Sequence, residues 1–197
     1  MDGPEPRTAG RPAGDPDRGA DRGSNGMSDW VIERGDPAEI DRLEPLWTTL
    51  LEHHGEIYAG LPQRCPADSW RRRRAEYERW LATEGSFFVV ARRGETLLGY
   101  AMIELCEGSP MWDMDELAAQ LQTLVVLPGE RRRRLGSALM DAVDDELERL
   151  GVRHVLVEIM ADNEEAIRFY EGRGYGLYTS VLHRGRGPGE TEDDGDG

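Results

Sequence analysis

The 197-residue sequence contains no lysine, so all 24 of its basic side chains are arginine. Its 39 acidic residues outnumber them and leave a formal net charge of −15. General nucleic-acid binding needs a basic surface that displaces counterions, so this balance argues against a nucleic-acid partner. A negative field concentrates cations near a site, although the same acidity can serve solubility alone.

Cysteine is scarce and long apolar runs are missing. The two cysteines, Cys65 and Cys106, cannot make a disulfide framework and are expected to pack as small apolar side chains. No apolar run approaches the ~20 residues of a membrane span. The N-terminus lacks the charged-then-apolar pattern of a signal peptide. We therefore predict a cytoplasmic protein without a membrane partner.

Both ends of the chain are poor in apolar residues. Residues 1–26 are mainly Gly, Pro, Asp and Arg, and such a segment cannot offset the entropy lost on ordering. We predict a disordered extension there, with Met27 as the true start. Residues 184–197 are Gly-rich and acidic and are predicted to be a disordered tail. The remaining residues, 27–183, are predicted to form one domain with a normal core.

Between these ends the apolar pattern is that of a mixed α/β domain. Ile40, Leu43 and Trp47 recur at helical spacing after Asp36-Pro37, which is typical of a helix start. The predicted helices cover about 36–51, 68–81, 136–150 and 164–173, and a loop covers 53–62. The predicted strands cover 30–32, 86–92, 96–106, 117–127, 152–160 and 175–183, and the last strand closes the sheet.

Two segments carry the strongest functional signal. The first is an apolar strand, a Pro128-Gly129 turn, the run Arg131 to Arg134 and an amphipathic helix. The second is an apolar strand, Asn163 and a helix that carries Tyr170. The first N–H groups of a helix have no intrahelical partner and its dipole favours an anion, so a strand, loop and helix can bind a phosphate. Four arginines at a helix start oppose the dipole unless an anion is bound, and the alternative is a solvated charged turn.

These segments resemble the GNAT superfamily of acetyl-CoA-dependent N-acetyltransferases. The family motif Gln/Arg-x-x-Gly-x-Gly/Ala falls on Arg131 to Gly136, with Arg134 in place of the first glycine. The later motif falls on Asn163, Ala166 and Tyr170. The resemblance spans roughly residues 30–183. It implies a mixed, mostly antiparallel sheet flanked by helices, and an acyltransferase in which an amine attacks acetyl-CoA directly, without an acyl-enzyme.

The resemblance also implies a set of cofactor-binding residues. The pantetheine arm would lie along the fourth strand, as an added strand would, and would bond Asn163. The pyrophosphate would meet the backbone before the next helix, where Gly136 allows close approach. Arg134 costs room there, but its side chain can add a charge-assisted bond. A backbone N–H at Val126 would stabilise the oxyanion. The implied residues are Leu124, Val125, Val126, Arg131, Arg132, Arg133, Arg134, Leu135, Gly136, Ser137 and Asn163.

Two residues are candidates for proton transfer. Tyr170 would protonate the leaving thiolate, as the family tyrosine does; the alternative is a core aromatic. Glu158 stands five residues before Asn163, as in the ribosomal-protein N-terminal acetyltransferases of the superfamily, which use this glutamate as base. Strand alternation places it among apolar residues, which favour the neutral acid and would suit a general base. It could instead pair with an arginine, and Glu104, Glu116 and a water chain are competing bases.

The sequence says less about the acceptor than about the cofactor. The loop that frames the acceptor pocket in the family would hold His53, His54, Glu56 and Tyr58 here. No further ligand follows at metal spacing, so we predict no metal site. The acceptor would be an amine on a small molecule or a protein. The sequence does not decide between a monomer and a homodimer. The alternative from another class is a non-catalytic acyl-CoA-binding regulatory module.

Overall fold

The computed structural model describes residues 29–112 and 114–184. The predicted extension over residues 1–26, and the predicted tail beyond Arg184, lie outside the described residues. The same holds for the start proposed at Met27.

The chain begins with strand β1 (Val31–Arg34) and a helical layer. A 3-10 helix (Pro37–Leu43) leads into α1 (Glu44–Ile57), and α2 (Pro66–Leu81) follows. Asp36 caps the 3-10 helix as predicted, because its carboxylate accepts a hydrogen bond from the Ala38 N–H at 2.9 Å. A proline occupies the first turn of α2, where its missing N–H costs nothing.

Three consecutive strands follow, and after them a helix, a strand and a second helix. Strands β2 (Phe87–Arg93), β3 (Thr96–Glu107) and β4 (Leu117–Val126) are followed by a short 3-10 helix (Pro128–Glu130). Helix α3 (Leu135–Leu150), strand β5 (Val155–Val157) and helix α4 (Glu164–Glu171) complete the elements. The sheet has the order β1-β2-β3-β4-β5, antiparallel except for the parallel pair β4-β5. The predicted fold class, a mostly antiparallel sheet flanked by helices, is confirmed.

A hydrophobic core covers each face of the sheet. Phe87 and Val89 of β2 pack in the core that contains α3, while Phe88 and Val90 pack in the core that contains α1 and α2. This alternation is the period of two that a strand imposes on its side chains. The sheet is therefore held between two helical layers, as the mixed α/β pattern predicts.

A β-bulge interrupts the middle of β4. Met102 of β3 faces Thr123, but the next residue, Ile103, faces Leu121, so Gln122 has no partner. The extra residue reverses the alternation of β4. Leu121 packs in the α3 core, whereas Val125 packs in the core of α1 and α2. A bulge also bends its strand, and this one lies where β4 parts from β5.

The predicted strand at 175–183 does not form in the described chain. This segment has no ladder pairing, and Leu177 and Leu182 are 91% and 95% exposed. A strand exists only with a partner, and β5, the edge strand of the sheet, is just three residues long. The apolar pattern was correct for a strand, but the prediction was wrong because the pattern does not supply a partner.

Two boundaries also differ from prediction. Strand β5 was predicted over 152–160 but covers only Val155–Val157, because its pairing with β4 ends at Leu121. The loop predicted at 53–62 starts later, since α1 continues to Ile57 and the Tyr58 N–H donates to the His54 carbonyl at 3.0 Å. The strong helix breakers, Gly60 and Pro62, come only after that point.

Candidate functional site

A cleft of about 500 Å³ opens where β4 and β5 diverge. The parallel ladder pairs Ala119 with Val155 and ends with Leu121 and Val157, so beyond these residues the two strands separate. Helices α1, α3 and α4 and the turn before α3 supply the other walls. All of the cofactor-binding and proton-transfer residues implied by the resemblance line this cleft except Arg133. Of the four acceptor-side residues, His53 and His54 line it, whereas Glu56 and Tyr58 do not.

The edge of β4 that faces the cleft has no neighbouring strand beyond Leu121, where the ladder with β5 ends. The Leu127 N–H, directly after β4, donates to the carbonyl of Leu98 in β3 at 2.8 Å. Backbone groups alternate in direction along a strand, so those of Val126 and Leu124 point away from β3 and toward the cleft. The Val126 carbonyl does point away from β3, because it accepts a hydrogen bond from Arg131 Nε at 3.4 Å. An extended ligand can therefore pair with β4 at this edge.

The start of α3 forms the second wall. The Ala138 N–H makes a helical bond to the Arg134 carbonyl at 3.0 Å, so the N–H groups of Leu135, Gly136 and Ser137 precede the intrahelical ladder. These donors lie together at the positive end of the helix dipole. The arginine run was expected at the helix start, but it forms the turn before it, since α3 begins only at Leu135.

Gly136 is not required by the packing of the fold. A Cβ at this position would lie 3.8 Å from Val126 Cγ2 and 3.9 Å from Phe169 Cζ, which are ordinary contacts. The backbone of Gly136 is also free of positive φ. The absence of a side chain therefore matters for the space in the cleft, between the edge of β4 and the ring of Phe169.

Helix α4 brings Asn163 and Tyr170 to the cleft. The Asn163 carboxamide oxygen accepts from the Ala166 N–H at 3.0 Å and caps the helix. A side-chain amide also has a donor group, so this cap can coexist with a bond to a ligand. Tyr170 is 7% exposed and packs edge-on against Phe169 and Tyr175. Burial, and then the neighbouring Tyr175, raise the pKa of its phenol, so it keeps its proton at neutral pH.

Glu158 lines the cleft, but it is exposed. The prediction that it lies on an apolar face of a strand was wrong, because β5 ends one residue earlier. The competing acids, Glu104 and Glu116, are not among the residues of the cleft wall, and Glu104 accepts a hydrogen bond from Gln122 at 2.6 Å. Glu165 of α4 does line the cleft, and the sequence could have indicated it only through its place beside Asn163.

The wall opposite α3 comes from α1. His53 and His54, although adjacent in the chain, both line the cleft. Burial lowers the pKa of His54, and the nearby His53 and Arg73 lower it further, so this imidazole is neutral at pH 7. Among residues 29–112 and 114–184, no three potential metal ligands are grouped so as to hold an ion.

A buried hydroxyl cluster lies beneath β4. The Tyr77 hydroxyl is 2.7 Å from that of Thr123 and 2.9 Å from that of Tyr100. Burial raises the pKa of Tyr77 to about 12, so the cluster is uncharged. It holds Thr123, a residue of the cleft wall, next to the bulge. Nothing in the sequence pattern connects these three positions.

Comparison with known proteins gives the family. The model of the Acetyltransferase (GNAT) family matches residues 47–175, about two thirds of the chain. The chain therefore belongs to the GNAT family of acetyltransferases, as its motifs and fold indicate. Members of this family use acetyl-CoA as the acetyl donor. In the part of the chain that the structure describes, no helix has the length and apolar character to cross a bilayer.

Three proteins illustrate the relationship. The chain is 34% identical over 105 residues to a mycothiol acetyltransferase of Brachybacterium faecium, which is 52% of this chain and 30% of that protein. It is 40% identical over 57 residues to the ribosomal protein bS18-alanine N-acetyltransferase of Escherichia coli K12, which is 29% of this chain and 38% of that protein. The matches thus span less than half of either curated relative. The aminoglycoside N-acetyltransferase AAC(6')-Iy, solved in complex with CoA, shares the fold with a TM-score of 0.59 at 15% identity, over 80% of this chain and 94% of that one.

Proposed function

We propose that this chain is an acetyl-CoA-dependent N-acetyltransferase that transfers acetyl directly to an amine in a ternary complex. The observation that carries the proposal is one cleft that joins three features: the open edge of β4, the donors at the start of α3 and the buried phenol of Tyr170. A phosphate-bearing thioester needs all three. A protein that only binds acyl-CoA has no use for a buried proton donor in the cleft wall.

The binding roles follow from the positions of the groups. The pyrophosphate would accept hydrogen bonds from the N–H groups of Leu135, Gly136 and Ser137, at the positive end of the dipole. The pantetheine amides would pair with the backbone of Leu124 and Val126, and the amide of Asn163 would add a donor. When bound, acetyl-CoA supplies a thioester carbonyl carbon for the amine to attack.

The transfer requires two protons to move. As the amine nitrogen bonds to the acetyl carbon, its proton must leave, and Glu158 would accept it directly or through water. The Val126 N–H, which points into the cleft, would stabilise the oxyanion. As the carbon–sulfur bond breaks, the Tyr170 hydroxyl would donate its proton to the thiolate. A buried phenol suits this task because it remains protonated until a strong base forms beside it.

The acceptor is proposed only as an amine. The similar proteins are named for different acceptors. They include a mycothiol acetyltransferase, a ribosomal protein alanine acetyltransferase and an aminoglycoside acetyltransferase. The net charge of −15 favours a cationic acceptor over an anionic one. The wall formed by His53 and His54 would face it, since this wall lies opposite α3.

A thiol-release assay tests the proposal. Acetyl-CoA is incubated with the protein and a panel of small amines, an aminoglycoside and peptides with free N-termini, and CoA release is followed. Amine-dependent release that is lost in the Tyr170→Phe variant is expected. CoA binding without release against any amine would favour the alternative, a non-catalytic acyl-CoA-binding regulatory module.

The cytoplasmic location stays a prediction, and the choice between a monomer and a homodimer stays open. Light scattering on protein eluting from a size-exclusion column tests for a homodimer directly. The segment with Leu177 and Leu182 is the first surface to mutate, because both side chains are exposed. A monomer at all concentrations would contradict the homodimer.

A further inference from the structure

The turn before α3 has four arginines that differ in their partners. Arg133 pairs with Glu130 at 2.8 Å and lies outside the cleft wall. Arg131 lines the cleft and bonds the Val126 carbonyl. Arg132 and Arg134 line the cleft as well, are exposed, and form no ion pair among residues 29–112 and 114–184. Most other described arginines of this acidic chain do pair with a carboxylate.

Arg132 and Arg134 also occupy an unfavourable backbone conformation. Their φ angles are 61° and 63°, and they are the only residues other than glycine with positive φ in the described chain. The left-handed region disfavours a side chain with a Cβ and is the usual place of glycine. The family motif has glycine at the position of Arg134. Two long cationic side chains, those of Arg132 and Arg134, therefore occupy positions where the backbone conformation favours glycine. This indicates that the side chains themselves have a function.

The cleft wall includes both buried and exposed side chains. Tyr170 is buried, whereas Arg132 and Arg134, in the turn before α3, are exposed. If the thioester lies beside Tyr170 and the pyrophosphate at the start of α3, as the proposed function requires, the nucleotide end of CoA continues past the start of α3, where these two arginines lie. The N–H groups of α3 already serve the pyrophosphate, so the remaining anion is the 3′-phosphate of the ribose.

We infer that Arg132 and Arg134 bind the 3′-phosphate, so that the protein selects CoA over 3′-dephospho-CoA. This inference rests on the proposed function. A phosphate monoester carries about −1.5 to −2 charges at pH 7 and has three acceptor oxygens. A guanidinium matches it with two parallel hydrogen bonds and remains charged at any working pH. Two unpaired guanidinium groups at one rim give a site for this group and not for a neutral ribose.

Calorimetry with the two ligands tests the inference. The wild type is expected to bind CoA about 10-fold or more tightly than 3′-dephospho-CoA, from one or more charge-assisted bonds. In Arg134→Gly the affinity for CoA is expected to fall while the affinity for 3′-dephospho-CoA is unchanged. The ratio of the CoA affinity to the 3′-dephospho-CoA affinity therefore becomes smaller. In the double variant with Arg132→Gly the ratio approaches one. Glycine relieves the left-handed backbone, so these variants are expected to fold.

Arg133→Ala is the matched control. It removes the same charge from the same turn, but from a side chain that pairs with Glu130 outside the cleft wall. The ratio is expected to stay at the wild-type value. A ratio near one in the wild type, an equal loss for both ligands in Arg134→Gly, or an equal drop in Arg133→Ala would each overturn the inference. A wild type that binds neither ligand would overturn the proposed function as well, whereas equal binding of both would leave that function standing.

Discussion

Replacement of Gly136 by valine should separate ligand binding from folding. The position lies in the first turn of α3, between the edge of β4 and the ring of Phe169. Because a Cβ there would make only ordinary contacts, at 3.8 Å to Val126 and 3.9 Å to Phe169, the fold accepts a side chain. A larger side chain would occupy the space in the cleft that we propose for the pyrophosphate.

The expected magnitude follows from that geometry. Valine adds two methyl groups beyond Cβ, and forcing extra methyl groups into a filled space costs roughly 1–3 kcal/mol. Here that cost falls on the bound state, so CoA affinity should drop roughly 5- to 150-fold. Gly136→Ala is the control, since the family motif admits alanine and a helical alanine is more stable than glycine by up to about 1 kcal/mol.

Calorimetry with CoA and thermal melts of the three proteins give the result. The Val variant should melt near the wild type and bind weakly, and the Ala variant should bind normally and melt at the same or a higher temperature. Unchanged CoA affinity in a folded Gly136→Val protein would refute the placement of the phosphate at the start of α3. An equal loss in the Ala variant would show that backbone freedom, and not space, is what Gly136 provides.

Three further outcomes are expected. Tyr170→Phe keeps the ring and its packing, so kcat should fall roughly 10²–10⁴-fold while acetyl-CoA affinity measured by calorimetry holds; a full-rate variant would remove Tyr170 from the chemistry. Glu158→Gln should lose turnover that partly returns at high pH, where more of the amine is neutral, whereas Tyr170→Phe should show no such return; identical pH–rate profiles of the wild type and both variants would mean that both assignments are wrong. The hydrogen bond from Arg93 lowers the pKa of Glu130 below its ordinary 4.5, so the unfolded chain binds more protons in acid, and stability present above about pH 4.5 should be lost as the pH falls through the lower folded-state value. Melts over a pH series should show a smaller acid loss in Arg93→Gln, and an unchanged one would count against this ion pair.

The features that the sequence predicted correctly are encoded within short segments. A helix with an apolar stripe, such as α3, is a local pattern with the period of 3.6 residues. The cap at Asn163, and the place of Tyr170 two turns later, follow from the spacing of a single helix. The free N–H groups at the start of α3 are equally local, because they are consecutive along the chain. The fold class and most of the residues that line the cleft could therefore be predicted without coordinates.

The failures all depend on contacts between distant segments. Residues 175–183 have the composition of a strand, but a strand forms only beside a partner, and the short β5 offers none to them. Glu158 was predicted on an apolar face, and it is exposed because the ladder with β4 stops one residue earlier. Where that ladder stops is a property of two strands and of the bulge at Gln122, not of the sequence around Glu158.

The cleft wall formed by α1 shows the same division between local and long-range information. His53 and His54 belong to a helix that was predicted to end before them, and only the packing of α1 across the sheet brings both to the cleft. The contact of Tyr77 with Thr123 joins residues 46 positions apart. The local chain encodes which groups can bind a phosphate or cap a helix, because those geometries repeat along one element. The place where two strands part, and the side chains that line the opening, depend on long-range packing, which no local period records.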